Sequence, residues 1–139
     1  MDTIYIIAMA NLQIQRAFND HFDEFLNDIV NIFPDDMDVK SARNSITLLK
    51  KANPRVLIGI WNNYVSAKYS DEIEAGDISF FTDKDYTNDV VNTGSSEQVM
   101  DAIDRIRQPI KMMSDANQQK TMKYIQNLKK LLFLKLEHY

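Results

Sequence analysis

Apolar positions in the first third of the chain recur at helical spacing. Ile14, Phe18, Phe22, Phe25, Ile29 and Phe33 follow one another at intervals of three or four. They make one stripe of a 3.6-residue period, with Asp20, Glu24, Asn27 and Asn31 on the other side. The pattern predicts a helix over 11–33, ended by Pro34, because a residue before proline is pushed out of the α region. Val39, Ala42, Ile46 and Leu49 form a second stripe. Asp35, Asp36 or Asp38 can cap its start, and Lys50 and Lys51 suit the negative end of its dipole. Asn53 and Pro54 then read as the cap and first residue of a third helix, over 54–69. That helix is apolar through most of its circumference: Val56, Leu57, Ile58, Ile60, Trp61, Tyr64 and Val65. Such a helix is usually central, so Trp61 is expected in the core.

The pattern then fails. Residues 70–95 are acidic and aperiodic, with Gly76 and Gly94 as turn markers. Ile78, Phe80 and Phe81 are expected to dock the segment, with a short strand over 78–81. Ser95 and Gln98 match a capping box, and Val99, Ile103, Ile106 and Ile110 make the next stripe. Pro109 is expected to kink or restart that helix. Ser114 reads as the cap of a last helix over 115–136, striped by Met122, Ile125, Leu128, Leu132 and Leu136. Its end is more apolar than one stripe needs. Leu131, Phe133, Leu134 and Tyr139 are thus expected to meet a partner or the N-terminal segment. That segment, apolar from Ile4 to Ala10, reads as a strand or the first turns of a helix. With Met9 as an alternative start, residues 1–10 read as an N-terminal extension. The expectation is an all-α fold: one domain over 1–139, a compact bundle of about five helices with an irregular acidic segment at about 70–95.

Composition narrows the chemistry. The chain has 139 residues, long enough to bury roughly two thirds of its unfolded surface. It contains no cysteine, which excludes thiol catalysis, disulfides and cysteine-held metals. No run of eighteen apolar residues is present, so no membrane span is expected. Charge is segregated in blocks: net −7 over 1–39, +6 over 40–70, −9 over 71–104 and +6 over 105–139. Alternation of this kind suits helices that neutralise one another side by side, or a polar surface that docks in an assembly.

Two acidic clusters suggest metals and fall short. Asp20, His21, Asp23, Glu24 and Asp28 lie on one helix, but a two-metal bundle needs a Glu-x-x-His motif on other helices. The only other histidine is His138. Asp83, Asp85, Thr87 and Asp89 hold alternate positions of a calcium loop, yet its sixth position is Asn88 and its twelfth Gly94. No glycine-rich phosphate loop or nucleophile motif occurs. No catalytic, cofactor or metal residue is assigned, and a non-enzymatic protein without a cofactor is expected. Interaction candidates remain. Gly59, Asn62 and Asn63, with Ser66, form the small polar side of the third helix. Gly59 costs about 1 kcal/mol against Ala, which close approach of another backbone would offset. Lys123, Lys129 and Lys130, with Tyr124 among them, offer nucleic acid a basic face, a lesser reading given the acidic whole. Phe133 belongs to the apolar end.

Three blocks, "IFPDDMDVKSARNSITLLKKANPRVLIGIWNNYV", "GDISFFTDKDY" and "IDRIRQPIKMMSDANQQKTMKYIQNLKKL", carry a resemblance. Together they resemble a family of small helical proteins of nucleocytoplasmic large DNA viruses, chlorella viruses among them. The resemblance covers most of 11–131. No functional residues carry over from it. It implies a virion setting, where small proteins cement the shell beneath the major capsid protein. The expectation is a minor capsid protein acting on other viral proteins. The alternative is an adaptor in the infected cell, tied to viral transcription or replication.

Overall fold

The computed structural model describes residues 2–83 and 94–137, and of residues 94–95 and 135–137 it describes the backbone only. Among these residues every regular element is helical. Seven α-helices follow in order: α1 (Thr3–Ile32), α2 (Met37–Ala52), α3 (Val56–Trp61), α4 (Ser70–Ala75), α5 (Ser79–Thr82), α6 (Gly94–Lys111) and α7 (Asp115–Glu137). A π-helical turn, Asn62–Ser66, sits between α3 and α4. The all-α class is as expected. The count exceeds about five because the acidic segment holds two short helices of its own. Residues 84–93, with most of the calcium-loop pattern, and the side chain of Ser95 lie outside the described residues; α6 already includes Gly94, so Ser95 stands within the helix and is not its cap.

Helix α1 is the spine. It begins at Thr3, where Asp2 Oδ1 accepts from the Ile4 N–H at 3.1 Å. The apolar run Ile4–Ala10 is therefore the first turns of α1 and not a strand. Its thirty residues span about 45 Å. Phe18, Phe22, Phe25 and Ile29 are buried as their spacing predicts. Asp36 caps α2 by accepting from Asp38 and Val39 N–H, and all four stripe residues of α2 are buried. Ser114 Oγ accepts from Asn117 N–H at the start of α7. Asn53 closes α2 and its Oδ1 accepts from Arg55 N–H, while α3 starts only at Val56 with no side-chain cap; Asn53 and Pro54 are therefore a turn and not the cap and first residue expected.

Three local expectations are corrected. Residues 78–81 form no strand; Ser79–Thr82 is one helical turn, with Asp77 Oδ1 accepting from both Ser79 N–H and Oγ–H. A four-residue apolar run cannot be told from a strand by periodicity, and here the docking of Phe80 and Phe81 into the core decides it. Helix α6 runs through Pro109 to Lys111, so it does not restart there. The third helix widens after Trp61, where Ala67 N–H bonds to Asn62 O, five residues back. The extra residue in that turn shifts the phase, and Ser66, expected on the polar side, is buried.

One apolar core joins these elements. Trp61 is fully buried, and Phe22 meets it edge to face, with ring centroids 5.0 Å apart and planes at 83°. Phe81 approaches the other way at 6.3 Å. Phe22 continues to Phe25 at 5.7 Å, and Phe25 to Tyr124 of α7 at 5.7 Å. Acidic and basic blocks then pair across helices: Asp23 with Lys50, Asp28 with Lys120, Asp38 with Arg105, Glu74 with Lys129 and Asp83 with Lys111.

The glycines separate by role. Gly76 closes α4 at φ +73°, with Gly76 N–H on Ile73 O and Asp77 N–H on Glu72 O, a Schellman ending. Gly59 is exposed, and a Cβ there would meet nothing within 4 Å, so no backbone approaches it and that expectation fails. Gly59→Ala is expected to stabilise the fold by roughly 0.5–1 kcal/mol, and Gly76→Ala to destabilise it by about 1–2 kcal/mol. Trp61→Ala should cost about 3–5 kcal/mol. Urea unfolding of the three variants checks all three signs.

Candidate functional site

Two helices from opposite ends of the chain build an open surface cleft. Asp28 of α1 accepts from Lys120 Nζ of α7 at 2.8 Å. Further back along α1, the rings of Phe25 and His21 lie 5.7 and 5.0 Å from Tyr124. Further still, Ala17 and Asp20 face Asn127 and Leu131 across a cleft of about 480 Å³. Residue numbers fall on one helix as they rise on the other, so the pair is antiparallel. Leu134 and Lys130 complete the cleft on the α7 side, and Glu24 on the α1 side.

The chemistry of the cleft is that of an apolar strip with a charged rim. Ala17, Leu131 and Leu134 supply the strip; Asp20, Glu24 and Lys130 supply the rim. Such a layout matches the apolar centre and polar margin of protein interfaces. His21 Nδ1 lies 3.3 Å from Glu24 Oε2, which fixes the ring against Tyr124. Burial pushes the Tyr124 phenol up from its ordinary pKa, with the Asp28 carboxylate adding to the effect. The hydrogen bond to Asp28, and then its charge, raise the Lys120 ammonium. Among the described residues no three His, Asp or Glu side chains gather as a metal site, and Asp20 and Glu24 are rim residues of the cleft.

The interaction candidates separate in space. Lys130 lines the cleft, and Phe133 lies exposed one turn further along α7. Lys129 is turned away, ion-paired with Glu74 of α4. Lys123 is exposed on the same helix. Tyr124, read as a stacking residue between lysines, is half-buried against His21 and Phe25. The basic face of α7 is thus partly spent on the acidic helices α1 and α4. Gly59, Asn62 and Asn63 lie at the end of α3 and in the π-helical turn, apart from this cleft.

Sequence reasoning missed the other end of α1. Ile4, Tyr5, Ile6, Ile7, Met9 and Leu12 are all exposed, by 37 to 75%. Their signal was an apolar run without a period, which names no face. Phe133 and Leu134, near the end of α7, are also exposed. Among the described residues no helix is long and apolar enough to cross a membrane. No family model, curated protein or solved structure matches the chain.

The Glu74–Lys129 pair makes a direct pH test of how α4 is held. A hydrogen bond from Lys129, and then its charge, hold Glu74 below the ordinary carboxylate range. A lowered folded-state pKa means stability present above the unfolded value, about 4.3 for Glu, and lost as pH falls through the folded value. Lys129→Ala is expected to return the Glu74 midpoint towards about 4.3, followed by carboxyl NMR titration. An unchanged midpoint would show that the pair does not hold in solution.

Proposed function

We propose that this chain is a structural protein of a virion, a minor capsid protein of a large DNA virus, acting through protein–protein contacts. The observation that supports it is the exposed apolar end formed by α1 and α7, rimmed by the charged cleft. Monomeric proteins rarely leave a contiguous apolar patch of this kind uncovered, and such patches mark interaction sites. The resemblance of the 32–65, 76–86 and 103–131 blocks to small proteins of nucleocytoplasmic large DNA viruses supplies the setting. A short helical domain with self-neutralised sides and one sticky end is suited to wedging between larger subunits.

Quantitative mass spectrometry of purified particles tests the reading. The protein should be present at a copy number comparable to that of other shell components. Absence from particles, together with capture of viral polymerase subunits or host transcription factors in infected cells, would replace it with an adaptor role.

A further inference from the structure

We infer that the apolar end of α1 and α7 is the seat of a second copy of this chain, forming a two-fold dimer; this rests on the protein–protein reading above and names the partner. The first observation is topographic. Asn19 Nδ2 donates to Pro54 O at 2.9 Å, which sets residue 19 level with the end of α2. The part of α1 before about residue 19 therefore runs past the end of α2. Helix α7 accompanies it part of the way. Continuing the antiparallel register of Asp28 with Lys120, Glu137 comes level with about residue 11. Roughly eight residues of α1 then project about 12 Å beyond it.

The second observation is how those residues are distributed. Ile4, Tyr5, Ile6, Ile7 and Met9 point around the whole circumference of the helix, not along one stripe. A helix apolar all round is covered on all sides when it is stable in water. The described part of α7 ends level with about residue 11, short of these turns. A two-fold axis through this end would bring a second α1 and a second α7 against their open sides, as in a four-helix bundle.

Charge and area select the occupant. Between Asp2 and Arg16 no side chain carries charge at neutral pH. A two-fold contact sets a patch against itself, so an uncharged patch meets no repulsion there. A strongly charged partner finds nothing to pair with on these turns. Helices that lie in a lipid surface usually carry a cationic face, and these turns have none. Eight residues, Ile4, Tyr5, Ile6, Ile7, Met9, Leu12, Phe133 and Leu134, are on average about half exposed. At on the order of 200 Å² for a large side chain they offer about 800 Å², the area each partner gives to a stable interface.

Sedimentation equilibrium of the purified full chain at micromolar concentration is the test, with circular dichroism as the control for folding. The wild-type chain should have twice the monomer mass. Ile6→Glu with Met9→Glu should be monomeric and keep its helical signal, since both positions are exposed. Phe133→Ser, on the other helix, should weaken the dimer by on the order of tenfold or more. A wild-type monomer, or a dimer untouched by these substitutions, would overturn the inference. A monomer that floats with anionic phospholipid vesicles would overturn it in favour of a lipid surface. A monomer that binds purified major capsid protein through this end would end the dimer and leave the protein–protein reading standing. A dimer absent from virions would leave the inference standing and end the capsid reading.

Discussion

The edge-to-face contact of Phe22 with Trp61 fixes the bundle. It joins the long first helix to the short third one at a point where both rings are out of water. Aromatic pairs of this geometry contribute roughly 0.5–1.5 kcal/mol beyond their buried area, and they are directional. Direction matters here because the contact is a node. Phe81 reaches Trp61 from α5, while Phe25 carries the chain of rings on to Tyr124 in α7. Four helices thus take their positions from one indole and its neighbours. Trp61 is also the last residue of α3 before the π-helical turn. The widening follows the residue that is pinned, and the chain re-enters the core at Val65 and Ser66.

Charge selects neighbours around that core. Every ion pair named between helices joins an acidic block of the sequence to a basic one. Exposed pairs are each worth about 0–1 kcal/mol, too little to hold a bundle together. Their effect is on which helix lies beside which. An acidic α1 between the basic end of α2 and the basic α7 avoids the like-charge contacts of other arrangements. The price is that α7 has less basic surface to offer elsewhere. Lys120 and Lys129 are occupied, and Lys123 and Lys130 remain at the surface.

Where the sequence repeats with a period, the fold was legible. The stripes of α1, α2 and α6 are buried residue for residue over Phe18–Ile29, Val39–Leu49 and Val99–Ile110. Caps at Asp36 and Ser114 were legible too, because a side-chain acceptor at a helix start has few other uses. Failures occurred where no local rule applies. Residues 78–81 are short and aromatic, a composition shared by strands and helical turns. The π-helical turn has no sequence signature, so Ser66 was placed on the wrong side. At the candidate site, Lys129 and Lys130 are adjacent and chemically alike. Only Glu74, in a segment read as irregular, separates the engaged lysine from the cleft-lining one.

Helix α1 follows two rules along its length, and the change between them carries the functional argument. From Phe18 to Ile29 its apolar residues keep to the face that the bundle covers. From Ile4 to Met9 they occupy every face, ten or more residues before Asn19, the level at which α2 ends. A helix serving only its own bundle would turn polar there, because apolar surface past the last neighbour gains nothing from folding. Local rules that disagree with the fold tend to mark function. Here the disagreement is confined to one end, lacks charge, and is matched by Phe133 and Leu134 on the adjoining helix. The same hydrophobic effect that closes the core around Trp61 is left unsatisfied at that end, and a further layer of helices is what would satisfy it.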